Sequence, residues 1–221
     1  MEKYSVRITR DVSFKIQQSS RRLLSIVATS LFVLASSIVL NVTLHPVNHA
    51  SAAATPESCF QFDNATGTIL NYYDNENNDA AQPACPKDVE IPSAIGGIAV
   101  IKIGDLAFQS KQLTSVVFVD TNSVAEIGSS AFSLNQLSSL VVPNSVTVIR
   151  DGAFGYNQLT TLQLGNSISI IGSTAFISNR LTTLQVPDSV IAIENSAFQK
   201  NKLELVALSN SLTTIGVYAF F

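Results

Sequence analysis

The chain has 221 residues, of which 46% are hydrophobic and 13% charged, a balance that excludes an intrinsically disordered protein and allows one sizeable folded domain. The formal net charge is −3, but six of the 13 basic residues and only two of the 16 acids precede residue 55, so residues 55–221, with seven basic and fourteen acidic side chains, carry −7. That sign makes nucleic acid and anionic lipid poor partners.

The first element in chain order is a leader, residues 1–54. Lys3, Arg7, Arg10, Lys15, Arg21 and Arg22 make a basic start, Leu23 to Leu44 is mostly apolar, and Ala50-Ser51-Ala52 and Ala52-Ala53-Ala54 have the A-x-A arrangement. Basic, apolar, then small is the order of an export signal, which places the remainder outside the cytoplasm. The apolar stretch of 22 residues exceeds that of an ordinary cleaved signal and is long enough to span a bilayer. The leader is therefore read as an export signal or as an uncleaved N-terminal membrane anchor. Both histidines, His45 and His49, fall within it, and none follows.

Residues 55–88 are expected to form an N-terminal cap region. Cys59 and Cys85 are the only cysteines. In an oxidising compartment a single pair most simply forms a disulfide, which contributes about 3 to 4 kcal/mol in the chain-entropy model. Two cysteines without a histidine fall short of a zinc site. The run Asp74 to Asp79, "DNENND", begins like a calcium loop but has Asp where the sharp-turn glycine belongs and Cys85 where the bidentate Glu belongs. It reads as a solvated loop, and neither metal nor cofactor is expected. Asn64-Ala65-Thr66 matches a glycosylation sequon by pattern alone.

From Val89 onward the sequence repeats itself. The pairs Ala107-Phe108, Ala131-Phe132, Ala153-Phe154, Ala175-Phe176, Ala197-Phe198 and Ala219-Phe220 are separated by one step of 24 and four of 22 residues. A fixed period of this size marks a solenoid, whose coils bury their apolar faces only by stacking. Each coil carries a first apolar run, such as Leu137, Leu140 and Val142, whose alternation is that of a strand with one buried face. Pro143, Gly165 or Pro187 ends it, and a β-branched second run follows, as in Val146 to Ile149 or Ile168 to Ile171. At the corner, Gly104, Gly128, Gly172 and Gly216 are expected to supply positive φ, and Ala-Phe a short helical turn, although Arg150 and Glu194 stand where two of the glycines would. The phenylalanines should form one interior column, each worth about 1.5 to 3 kcal/mol on full burial. Asn135, Asn157, Asn179 and Asn201, and Ser123, Ser145, Ser167, Ser189 and Ser211, are expected to bond unpaired backbone groups at the turns.

The phrases "NQLTTLQLGNSISIIGSTAF" and "VEIPSAIGGIAVIKIGDLAF" resemble the BspA-like leucine-rich-repeat family, with its L-T-x-L-x-L/I-P strand, N-S-V-x-x-I-G stretch and A-F corner, over residues 89–221. "VDTNSVAE", with two extra residues, departs from that pattern. The resemblance implies a β-rich solenoid, a leucine-rich-repeat superhelix of 22-residue coils with short helical corner turns, following a small disulfide-linked cap. It also implies an exported bacterial or protist surface protein that recognises other macromolecules, an adhesin whose partner is a protein on another cell or in the extracellular matrix.

The outward positions of the first strands form two ladders, Ser115, Ser139, Thr161, Thr183, Leu205 and Val117, Val141, Gln163, Gln185, Ala207. They are small and uncharged, suited to a flat contact, and their lack of aromatics counts against sugar stacking. Ser139, Thr161, Gln163, Thr183 and Gln185 are the candidate binding residues. No catalytic residue is identified: no histidine follows the leader, the serines sit at turns, and Asp105 and Asp151, about 9 to 10 Å apart by strand spacing, would lie on an outer corner without a cleft. The chain is read as a non-enzyme; the alternative is a carbohydrate-active or other hydrolytic enzyme whose catalytic part lies outside it. The sixth coil opens at Ile215 and stops after its corner, so either further coils or a cap follow, or this end packs against a second molecule, end to end or head to tail.

Overall fold

The computed structural model describes residues 7–9, 54–73, 85–119 and 123–221. Apart from Arg7–Thr9, the leader through Ala53 lies outside them, as does "DNENND". The strands, in chain order, are β1 (Arg7–Thr9), β2 (Phe60–Asp63), β3 (Thr68–Tyr72), β4 (Asp88–Ile91), β5 (Ala94–Ile95), β6 (Ile98–Ala99), β7 (Lys102–Ile103), β8 (Ser115–Phe118) and β9 (Glu126–Ile127). They continue as β10 (Ser139–Val141), β11 (Val148–Ile149), β12 (Thr161–Gln163), β13 (Ile170–Ile171), β14 (Thr183–Gln185), β15 (Ala192–Ile193), β16 (Leu205–Ala207) and β17 (Thr214–Ile215).

Each coil contributes one strand to each of two stacks. Coil 1 holds β4 and β7, coil 2 β8 and β9, coil 3 β10 and β11, coil 4 β12 and β13, coil 5 β14 and β15, coil 6 β16 and β17. The six second strands join with β3 and β2 into one eight-stranded sheet, in the order β17-β15-β13-β11-β9-β7-β3-β2. Its pairings are parallel up to β3, and Ile103, Ile127, Ile149, Ile171, Ile193 and Ile215 share one register row. The first strands pair only two by two, β4 with β8, β10 with β12 and β14 with β16, with β1 lying parallel along the outer edge of β16.

The apolar pattern dictates what lies between the stacks. Phe108, Phe132, Phe154, Phe176 and Phe198 are fully buried and stacked face to face, with centroids 4.7 to 5.4 Å apart. Phe220, 5.8 Å beyond Phe198, is half-buried. The column begins one step earlier than the repeat does: Tyr72, at the end of β3, stacks on Phe108 at 5.2 Å and donates its hydroxyl to the Pro86 carbonyl.

The corners are tighter than a helical turn of the α type. In every coil the alanine N–H donates to the carbonyl three residues back, at 3.2 to 3.4 Å, and the phenylalanine N–H of coils 1 to 5 donates to the alanine carbonyl of the next coil at 2.7 or 2.8 Å. The residue before the alanine has positive φ throughout: Leu106, Ser130, Gly152, Thr174, Ser196 and Tyr218. The corner glycines do not, which corrects the role assigned to them from sequence. Their reason is space. A Cβ on Gly128 would stand 2.5 Å from the Asp105 carboxylate, and one on Gly172 2.7 Å from that of Asp151. Gly96 and Gly97, in the two-residue turn between β5 and β6, are the glycines whose left-handed φ meets no such crowding.

Before coil 1, β2 and β3 form a hairpin through Gly67, whose φ is +62°, and Cys59 and Cys85 are joined in a disulfide. The polar turn residues also behave as local bonding groups. Asn135, Asn157 and Asn179 are buried, each accepting a leucine N–H from the preceding coil and donating to phenylalanine carbonyls of two coils. Ser145 and Ser189 donate to carbonyls of the preceding coil, but in coil 6 Ser209, not Ser211, does so.

Candidate binding surface

The alternation within β10, β12, β14 and β16 turns Leu140, Leu184 and Val206 into the core and leaves their neighbours facing outward. Thr161, Gln163, Thr183 and Gln185 are exposed, and Ser139 is half-buried. Register places Ser139 beside Thr161 and Val141 beside Gln163, then Thr183 beside Leu205 and Gln185 beside Ala207. All five candidate residues thus lie on one face, but on two strand pairs, and no ladder joins β12 to β14. The side chains carry no charge, and the most exposed large apolar member of the two ladders is Val141, at 58%. Such a surface offers hydrogen bonds and shape and asks for no charged partner.

Asp105 and Asp151 each accept a backbone N–H from the next coil, that of Ser129 at 2.7 Å and that of Ser173 at 2.9 Å. They are caps, and the geometry assembles no acid–base pair around a substrate. Among the described residues no group of three or more His, Cys, Asp or Glu side chains could hold a metal ion, and no helix is long and apolar enough to cross a membrane.

Sequence reasoning passed over the outward face of the second sheet. There Lys102, Glu126 and Arg150, from consecutive coils, form a run in which the Glu126 carboxylate accepts from both cations. The Arg150 guanidinium, with Lys102 behind it, holds the Glu126 carboxyl below its ordinary value, and Glu126 in turn raises that of Arg150. Farther along the sheet the same face turns apolar, through half-buried Val148, Ile170 and Ala192 and exposed Ile191. Alternation in each β-branched run was the available signal, because β11, β13 and β15 each turn one residue in and one out.

Residues 89–221 match the model of the BspA type leucine-rich repeat region, in six copies. The chain belongs to this family. Among solved structures, the BspA-type chain is similar to the pneumococcal vaccine antigen PcpA, at 23% identity and a TM-score of 0.51, covering 65% of this chain and 35% of that one. It is also similar to a leucine-rich repeat protein from Bacteroides ovatus ATCC 8483, at 22% identity and a TM-score of 0.44, covering 58% and 39%. A leucine rich cell surface protein from Faecalibacterium prausnitzii A2-165 matches at 23% identity and a TM-score of 0.41, covering 67% and 42%. The BspA-type chain therefore spans less than half the length of each of these proteins. No curated protein matches it.

Proposed function

We propose that this BspA-type repeat protein is exported to the cell surface or beyond it and binds another macromolecule through the outward face of β10, β12 and β14. The partner in this reading is a protein on another cell or in the surrounding matrix. One observation carries it: Thr161 and Gln163 on β12 and Thr183 and Gln185 on β14 stand exposed and uncharged at equivalent outward positions of consecutive coils. Threonine and glutamine there offer donors and acceptors with little desolvation cost, and flanking Val141 and Leu205 add apolar area. The basic-then-apolar leader supports export. Nothing in the site supports hydrolysis, and binding is the whole activity proposed.

The test is a panel of immobilised matrix and cell-surface proteins. A variant with lysine at Thr161, Gln163, Thr183 and Gln185 should bind the captured partner at least about tenfold more weakly, since a charge cluster opposes a neutral flat contact, while its melting temperature stays near that of the parent. Undiminished affinity would remove the site from this face. Cleavage of a glycan or peptide by the same preparation would favour the enzyme alternative.

A further inference from the structure

We propose that the building unit of this solenoid is a pair of coils, not a single coil, and that the boundaries between pairs are its compliant seams. Two independent features show the same alternation. In the first stack, ladders join coils 1 and 2, 3 and 4, and 5 and 6, and none joins coils 2 and 3 or 4 and 5. One backbone bond just before the strands follows suit: the N–H of Thr114, Thr160 and Glu204 donates to Lys87, Ser138 and Thr182 of the preceding coil, each within a pair, whereas the bond two residues earlier, as from Gln136 to Leu113 and from Arg180 to Leu159, is present at the seams as well.

The second feature lies at the corner, on the opposite stack. Asp105, Asp151 and Asn195, in coils 1, 3 and 5, each cap an N–H of the next coil through Oδ1. That oxygen occupies the space where a Cβ would stand, so coils 2, 4 and 6 carry Gly128, Gly172 and Gly216. Coils 2 and 4 present Ser129 and Ser173 instead, and the coils that follow them carry full side chains, Arg150 and Glu194. The close backbone approach and the Oδ1 cap thus occur within pairs, whereas the contacts between pairs are made by side-chain bonds, Arg150 to Glu126 and Ser145 to the Val124 carbonyl at one seam, Ser173 to Glu194 and Ser189 to the Ile168 carbonyl at the other. Pro143 and Pro187 alternate with Gly165 in the same rhythm, and a Cβ on Gly165 would run into the Pro143 carbonyl. The seam between coils 4 and 5 divides the candidate binding surface, but the pairing does not depend on that surface having a partner.

Hydrogen exchange on the whole chain, read amide by amide, distinguishes paired coils from a uniform stack. The amides of Ser138 and Thr182, at the seams, should exchange at least about tenfold faster than those of Thr114, Thr160 and Glu204, because their counterparts are held by bonds within a pair. Equal protection at all five, or protection that changes smoothly from one end of the stack to the other, would overturn the proposal. Substitution gives a second reading that does not depend on exchange. Gly172→Ala should raise the unfolding equilibrium constant by about thirtyfold and Glu194→Gln by less than about threefold, the first forcing a Cβ into a tight contact and the second keeping the oxygen that accepts from the Ser173 hydroxyl. Similar effects at both positions would also count against it.

Discussion

The two ends of the stack face the same problem, an aromatic column and an isoleucine row that need a neighbour, and meet it by different means. At the N-terminal end, Tyr72 replaces the corner phenylalanine, Phe60 packs against it at 5.5 Å, and β2 runs antiparallel to β3, so the parallel ladder stops there. The Cys59–Cys85 bond ties this layer to the start of coil 1. At the other end, Phe220 is half-buried, and Ile215, Val217 and Tyr218 are 43%, 65% and 62% exposed. The sixth coil repeats its predecessors, β1 runs parallel along the edge of its first strand, and β17 is the edge of the second sheet.

The sharpest way to break this comparison is to remove rings at different depths in the column. Phe154→Ala, in its fully buried middle, should cost about 3 to 5 kcal/mol in denaturant unfolding. Phe220→Ala should cost about 1 to 2 kcal/mol, since roughly half the burial is lost. Equal costs would mean that the two positions are equally covered. Next in size is the N-terminal layer itself. Replacing Cys59 and Cys85 together by serine should cost about 3 kcal/mol, and the parent should yield no free thiol under denaturing conditions before reductant is added. Two titratable thiols at that stage would remove the covalent half of the contrast.

The smallest effect concerns coils 1 to 3, where the Lys102–Glu126–Arg150 run lies. The hydrogen bond from Arg150 holds the folded Glu126 carboxyl below its ordinary 4.5, so its contribution is present in full above that value. It is lost as the pH falls through the lowered folded value, because the unfolded chain then binds the proton more readily. The loss should stay under about 1 kcal/mol, as suits a pair in contact with solvent, and Glu126→Gln should flatten that part of the stability–pH curve. An unchanged curve would leave the run without a role in stability.

Much of this architecture was legible before any coordinates. The spacing of the Ala-Phe pairs fixes the coil, alternation in Leu140 and Val142 fixes its buried face, and the recurrence of Asn135 at Asn157 and Asn179 marks the inner polar ladder. What escaped has physical reasons. Tyr72 precedes Phe108 by 36 residues, an interval that matches no repeat step, so nothing in the period points to it. The corner glycines invite the common explanation, positive φ, whereas their true constraint is an atom of the neighbouring coil, which a reading of one coil at a time does not contain. Pairing was written in the sequence too, in the 44 residues between Arg150 and Glu194 and between Pro143 and Pro187. The stronger 22-residue rhythm masks it. The candidate surface was legible as a face, but its division between β12 and β14 was not, because the residues on both strands, Thr-Leu-Gln, are identical.

The seams acquire another meaning when the molecule bears a load. Under the proposed function, with the chain held at one end and pulled through a bound partner, tension would be carried along the stack, and the weakest contacts in series yield first. A pair of coils that parted at a seam and then unravelled would pay out about 44 residues, roughly 150 Å of extended chain, before the next pair was strained. The covalently tied N-terminal layer would be among the last to give way. Stretched in this way, the solenoid would lengthen in discrete increments and relax the pull on its attachment at each one.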